Sequence, residues 1–232
     1  MKDKFKIGID YGGTKIEAIL MNNKGDEIKR ERLEYDRNYE SGISTVKKFV
    51  EDFKKESSSE ATVGIAIPGY SSKETGLVHN ANSIWLNNKH FKKDLEKNLN
   101  CEIKIMNDAN CFTLSEAIDG AGKDFKSVFG IIIGTGFGSG LSYKKEIIEG
   151  ANQVAGDWGH QPLPYPTEEE INSKIKCTLP TCGRPLCAEQ FVSGAGFAKN
   201  FNLKHNTNYK APEIVALDKK GDQKANKEFE LY

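Results

Sequence analysis

Two glycine-rich turns and an acidic pair could do chemistry in this sequence: Asp10-Tyr11-Gly12-Gly13-Thr14-Lys15, then Asn107-Asp108, then Gly134-Thr135-Gly136 running on to Gly140. Each glycine turn follows an apolar run of β type, Phe5 to Ile9 and Val128 to Ile133. Main-chain N–H groups can converge in such turns because no Cβ atom keeps an oxyanion away. Asp108 follows the run Cys101 to Met106, so it is expected at the carboxyl end of a strand, where open α/β sheets place their ligands. A carboxylate there suits the base of a phosphotransferase, since phosphoryl transfer to an alcohol needs positioning and a proton acceptor more than covalent chemistry. Plainer explanations exist for each feature: a hairpin for Gly12-Gly13, a β-turn for Gly134-Thr135-Gly136, and a helix N-cap for Asp108.

A third constellation is His160, Cys177, Cys182 and Cys187. Three of the five cysteines crowd together with Gly183 and Pro185 in their turns, which favours a metal over a disulfide framework. Three thiolates and an imidazole make a closed tetrahedral set of the structural zinc type, able to stabilise a segment too irregular to fold by burial alone. Cys101 and Cys111 read as small core hydrophobes. Asn80, Asn82, Asn107, Asp157, His160 and Glu189 supply fork-like donors and acceptors of the kind that hold sugar hydroxyls; Asn80 and Asn82 could equally shape turns. Trp85 reads as core or pocket wall.

These residues need elements to position them. Strands are expected at Phe5 to Ile9, Thr14 to Met21 and Glu27 to Leu33, forming a meander. Ile43, Val46, Val50 and Phe53 recur at helical spacing and form the covering stripe of a helix. A strand from Thr62 to Ile67, a polar loop from His79 to Trp85, a helix from Phe91 to Leu99, a strand from Glu102 to Met106 and a helix from Ala109 to Ile118 give a βαβα rhythm, hence parallel pairing. The second half begins again with strand, glycine turn and strand, which suggests duplication. Gly150 to Ser193 is expected to be irregular, Ala211 to Leu217 helical, and the chain after Lys219 merely polar. Among 232 residues, Lys+Arg and Asp+Glu both number 33, for zero formal net charge, so no global field attracts nucleic acid or an anionic membrane. Met1 to Lys4 lead into a strand with no leader-type apolar stretch, and no run is long enough to span a membrane. The expectation is a soluble cytoplasmic protein, free or as a homodimer.

In this order, the motifs IGIDYGGTK, HNANSIWLN, MNDANCFTLSEAIDGA, IIIGTGFGSG, DWGH and CGRPLCAEQFVSGAGF resemble the ROK family of sugar kinases, repressors and related proteins, nearest its bacterial fructokinase or manno(fructo)kinase branch. The resemblance runs from Lys6 to about Phe201. It implies an α/β, actin-like ATPase (ribonuclease H-like) fold of two lobes, residues 1–117 and 118–232. It implies ATP phosphates between Gly12-Gly13-Thr14 and Gly134-Thr135-Gly136, with Lys15 nearby and Asp10 near Mg²⁺. Asp108 would accept the proton of a hexose 6-hydroxyl, Asn80, Asn82, Asn107, Asp157, His160 and Glu189 would hold the sugar, and His160, Cys177, Cys182 and Cys187 would hold zinc. Fructose is the first choice of sugar, followed by mannose, glucose or an N-acetylhexosamine; a sugar-binding protein without catalysis is the non-enzymatic alternative. With nine residues before Asp10, the helix-turn-helix that the family's repressors carry ahead of the glycine turn is not expected, nor is DNA binding.

Three departures qualify the likeness. Asp157 stands where the family usually has Glu. Cys177 lies further from Cys182 than in the family's C-x-C pattern, and Leu186 replaces the glycine before the last cysteine. The family also continues past the position of Tyr232, through a strand and glycine-rich loop on the adenine side, so the expectation is either a fragment of a longer chain or a second lobe that is incomplete at its C-terminal end, with an unprotected sheet edge.

Overall fold

The computed structural model describes residues 5–57, 61–172, 177 and 182–231; the expectation for Met1 to Lys4 lies outside them. Contacts divide the chain into two compact units. The first runs up to Cys111 and includes Gly150–Val154; the second comprises Phe112–Glu149 and Ala155 onward. The expected division after residue 117 and the contact division both fall within one helix, Asp108–Ile118.

The first unit is built on a five-stranded sheet. Strands β1 (Phe5–Tyr11), β2 (Lys15–Met21) and β3 (Glu27–Glu34) form the antiparallel meander. Helix α1 (Tyr39–Ser57) leads to β4 (Ala61–Ile67), which pairs parallel to β1. A small hairpin, β5 (Tyr70–Ser71) with β6 (Val78–His79), precedes helix α2 (Phe91–Leu99) and strand β7 (Ile103–Asn107), which pairs parallel to β4. The sheet order is β3-β2-β1-β4-β7. The switch from antiparallel to parallel pairing follows from the connections: tight turns join β1, β2 and β3, whereas helices carry the chain back before β4 and β7.

One face of this sheet is apolar by strict alternation: Ile7, Ile9 and Tyr11 on β1, Ile16, Ala18 and Leu20 on β2, and Val63, Ile65 and Ile67 on β4 are buried. Val46, Phe49, Val50 and Phe53 of α1 and Phe91 and Leu95 of α2 complete the same core. Ile43 packs at the margin of that cluster, and Phe49 adds to the stripe read from the sequence. Cys101 and Cys111 are half-buried, Cys101 packing against the cluster, so neither is fully enclosed in a core.

The second unit contains most of helix α3 (Asp108–Ile118) and a three-stranded antiparallel sheet, β8 (Ser127–Ile133), β9 (Phe137–Tyr143) and β10 (Glu146–Ile147), in the order β10-β9-β8. Helix and sheet approach so closely that a Cβ on Gly130 would lie 2.2 Å from the Thr113 hydroxyl oxygen. On the other face of β8, Phe129, Ile131 and Ile133 are exposed, and β9 is the strand's sole sheet neighbour among the described residues.

Short helices α4 (Glu168–Asn172) and α5 (Ala188–Val192) interrupt the segment expected to be irregular, followed by α6 (Gly194–His205), α7 (Ala211–Asp218) and α8 (Gln223–Leu231). The region after Lys219 is therefore helical, contrary to expectation. Its apolar content is small, but Ala225 is fully buried and Phe229 stacks on Phe197 at 4.7 Å, enough to hold α8 against α6. Among the described residues no helix is long and apolar enough to cross a membrane.

Gly42 shows how tightly the first core is set. A Cβ there would lie 1.9 Å from the Tyr11 hydroxyl oxygen, so α1 can seat only with a glycine at this position. Gly42→Ala should therefore lower stability by roughly 1–3 kcal/mol, the usual cost of overpacking, read as a fall in denaturation midpoint, despite alanine's better helix propensity.

Candidate functional site

The candidate residues fall into two groups, one in each unit. In the first unit the Gly12–Thr14 turn joins β1 to β2, and its glycines answer to different demands. A Cβ on Gly12 would meet the Lys15 carbonyl oxygen at 2.8 Å, so the turn itself requires that glycine. A Cβ on Gly13 would find only the Ser83 hydroxyl, at an ordinary 3.7 Å. The fold thus does not need Gly13 bare, and an exposed amide without a side chain is what an oxyanion could use. Thr14 and Lys15 are also exposed, Lys15 pairing with Glu34 at 3.4 Å.

Asp10 lies opposite Glu17 in the β1–β2 register. Glu17 is neutralised by Arg30, at 2.6 Å, and by Arg32. Asp10 keeps an edge open to solvent, yet protein around it raises its pKa through desolvation, with the Glu17 charge adding to the rise and Arg32 opposing it. The half-buried Cys111 thiol is pushed up to about 11, first by burial and then by the charges of Asp108 and Asp10. Both carboxylates therefore act on one thiol in this unit.

Asp108 opens α3 directly after β7, as the strand-end reading required. The helix cap is its neighbour: Asn107 Oδ1 accepts from the Asn110 N–H at 3.1 Å, the geometry of an N-cap. The exposed Asp108 carboxyl takes the Ala109 N–H at 2.8 Å. The capping explanation thus belongs to Asn107. The other end of that amide donates to the Gly69 carbonyl at 3.0 Å, which ties the end of β7 to the turn after β4.

Gly69 in turn carries the loop of Asn80 and Asn82. It has φ +81°, and a Cβ there would lie 2.3 Å from the His79 carbonyl oxygen, so the two backbones touch. Asn80 sits at φ 54°, a left-handed conformation that Asn tolerates well; the turn-shaping explanation holds for it. Asn87 clamps the loop by taking the Ala81 N–H at 2.9 Å and donating to the Ala81 carbonyl at 3.0 Å. Both Asn80 and Asn82 remain exposed. Trp85 is half-buried against the core and donates to the Tyr11 hydroxyl at 3.2 Å.

In the second unit, Gly134 and Thr135 are exposed at the turn between β8 and β9, and nothing stands within 4 Å of a Cβ built on Gly134. The start of α6 holds this turn: the Gly194 N–H donates to the Gly134 carbonyl at 2.8 Å and the Ala195 N–H to the Thr135 carbonyl at 3.2 Å. Those helix amides are thereby committed to shaping the turn. A cavity of about 900 Å³ adjoins it, lined by α6 residues such as Ala198 and Lys199 and by Asn206–Pro212.

Main-chain bonds also assemble the cysteine cluster. The Ala188 and Glu189 N–H groups donate to the Gln161 and Gly159 carbonyls, laying His160 beside Cys187, while the Cys177 N–H reaches the Arg184 carbonyl. The ligand atoms of His160, Cys177, Cys182 and Cys187 lie within 4.8 Å of one another. His160 Nδ1 is 3.4 Å from Cys187 Sγ and 3.8 Å from Cys177 Sγ, and Cys182 Sγ is 3.9 Å from Cys187 Sγ. Tetrahedral zinc, with bonds of about 2.3 Å to sulfur and about 2.0 Å to nitrogen, sets S···S near ~3.8 Å and S···N near ~3.5 Å. The donor set fits that ion. Burial pushes the Cys187 thiol up, so without a cation it holds its proton. The unusual spacing of Cys177 does not keep it from the group. Leu186, in the glycine position, has φ 51°: the backbone still takes the left-handed form, and the leucine bears the strain.

Glu189 is buried beside this cluster, accepting from the Phe137 N–H at 3.3 Å and lying 3.7 Å from Cys177 Sγ. Asp157 is exposed as a residue, yet desolvation by the surrounding protein raises its pKa, opposed by the His160 ring. Asp157, His160 and Glu189 thus form one polar cluster with the thiols. Sequence reasoning missed Tyr35, whose hydroxyl donates to the Gly12 carbonyl at 2.9 Å; a lone aromatic after a strand carries no local signal.

The ROK family profile matches residues 6–232. N-acetyl-D-glucosamine kinase of Vibrio cholerae is 35% identical over 226 residues, covering 97% of this chain and 75% of that protein. Among solved structures, ROK hexokinase from Thermus thermophilus superposes with a TM-score of 0.78 at 21% identity, covering 97% of this chain and 72% of that one. A ROK family glucokinase from Streptomyces griseus, in complex with glucose and AMPPNP, gives 0.75 at 23%, covering 97% and 74%. The chain belongs to the ROK family, as a sugar kinase with its actin-like α/β fold.

The two glycines of the first turn make separable predictions for the fold. Gly12→Ala should cost roughly 1–3 kcal/mol because main chain must shift, whereas Gly13→Ala should stay within about 0.5 kcal/mol of the parent, both measured by denaturant titration.

Proposed function

We propose that this protein transfers the γ-phosphoryl group of ATP to the 6-hydroxyl of an N-acetylhexosamine, N-acetylglucosamine first. The observation that carries the reading is Asp108: a carboxylate at the end of a parallel strand, on a helix capped by its neighbour. The relatives' names favour N-acetylglucosamine over the fructose ranked first from sequence. Fructose, glucose and mannose stay in the test because Asp157 departs from the family's usual Glu.

On this reading the turn amides of half-buried Gly12 and exposed Gly13 and Thr14 bind phosphate oxygens from the first unit, and the turn Gly134-Thr135-Gly136 does so from the second, its Gly134 N–H held within the turn by the Gly136 carbonyl at 2.9 Å. Asp10 would hold Mg²⁺, which supplies charge neutralisation at the phosphates when bound. Asp108 accepts the proton of the attacking hydroxyl, a contribution of about 10² to 10⁴ in rate. Asn80, Asn82 and Asn107 from the first unit, and Asp157, His160 and Glu189 from the second, bind sugar hydroxyls. His160 turns Nδ1 to the thiols, so its Nε2 is the atom left to meet a sugar. His160, Cys177, Cys182 and Cys187 hold a structural zinc ion that keeps His160 and Glu189 in place.

Two measurements test these assignments. In a coupled assay of ADP release, Asp108→Asn should lower kcat by about 10² to 10⁴ with sugar affinity nearly unchanged; an unaltered kcat would leave Asp108 as a helix-end residue only. Elemental analysis of protein prepared without added metal should find one zinc per chain, lost in Cys182→Ala. Metal-free folded parent protein would refute the zinc site.

A further inference from the structure

Resting on the proposed phosphate role of the first glycine turn, we propose that Tyr35 is a positioning residue that aims the Gly13 amide at the nucleotide phosphates. Tyr35 follows β3 and is buried. Its hydroxyl donates to the Gly12 carbonyl oxygen at 2.9 Å. That carbonyl and the Gly13 N–H belong to one planar trans peptide, in which C=O and N–H point in opposite directions. Holding the oxygen inward therefore directs the N–H outward, on the side where Gly13 is exposed.

A flexible Gly-Gly pair would otherwise sample many orientations of this peptide, and ordering it on binding would cost conformational entropy. Tyr35 meets that cost in advance, because the phenol cannot swing away. Its ring stands edge-on to Tyr11 at 5.5 Å and to Trp85 at 6.0 Å. Tyr11 is itself fixed by the Trp85 indole N–H at 3.2 Å and by Gly42, which leaves room for its hydroxyl. Burial raises the Tyr35 pKa, so the phenol stays protonated and remains a donor.

Trp85 belongs to the loop of Asn80 and Asn82, so general damage around Tyr35 would reach the sugar residues too. That gives the test its control. Equilibrium titrations of Mg-ADP and of N-acetylglucosamine are compared in the parent protein and in Tyr35→Phe, which keeps the ring and removes only the hydroxyl, with the thermal midpoint recorded to confirm folding. The expected result is Mg-ADP binding weakened roughly threefold to tenfold, the scale of one hydrogen bond, with sugar binding changed less than twofold. Unchanged Mg-ADP affinity would overturn the inference, as would equal weakening of both ligands. Gly13→Ala separates the two levels: if a methyl at Gly13 leaves Mg-ADP binding intact, the phosphate role of the turn fails, and Tyr35 is not what failed.

Discussion

The structure depends on a constraint at the main chain: an oxyanion can be gripped by peptide N–H groups only where the backbone turns with no side chain in the way. At the first turn this constraint is visible as a division of labour. Gly12 is required by the hairpin, since any Cβ would strike the Lys15 carbonyl, whereas Gly13 opens to solvent with only the Ser83 hydroxyl near. The surrounding core serves that turn. Tyr11, at the end of β1, is enclosed by Tyr35, Phe91 and Trp85, and α1 gives up a side chain at Gly42 to admit its hydroxyl. The turn at Gly134 is held by other means, through carbonyls accepting from the first amides of α6. Two unrelated supports thus stiffen two similar turns.

Around the second turn, burial alone supplies little. Among the described residues, the stretch from Gly150 to the start of α5 has few buried apolar side chains, and main-chain bonds among Gly159, Gln161 and α5 converge on a cluster of three thiols and an imidazole. On the proposed reading, zinc replaces the missing hydrophobic contacts, consistent with the stabilising role of such ions in irregular segments. The strained backbone at Leu186 fits this account. A leucine with φ 51° is tolerated when neighbouring geometry overrides the local preference.

Much of this was legible in the sequence, for identifiable reasons. Strands β1 and β4 alternate one apolar with one polar or small residue, and α1 and α2 carry stripes at helical spacing, so periodicity located them. The glycine turns, Asp108 at a strand end and the clustered cysteines announce themselves by residue type. What escaped depends on tertiary contact. Among the described side chains, helix α8 buries little beyond Ala225 and part of Phe229, too sparse a pattern to read. The exchange of roles between Asn107 and Asp108 at the start of α3 turns on one hydrogen bond, invisible in the string Asn-Asp. Tyr35 reaches Gly12 across the sheet, and no spacing rule links them.

The central claim is that amide-lined turns and the Asp108 carboxylate together phosphorylate a sugar. Phosphorus NMR of the protein incubated with ATP, Mg²⁺ and N-acetylglucosamine tests it most directly. The account predicts a sugar 6-phosphate resonance growing in step with ADP, and no ADP in the absence of sugar. ATP left intact with every hexose offered, or ADP and free phosphate formed without any sugar phosphate, would contradict it.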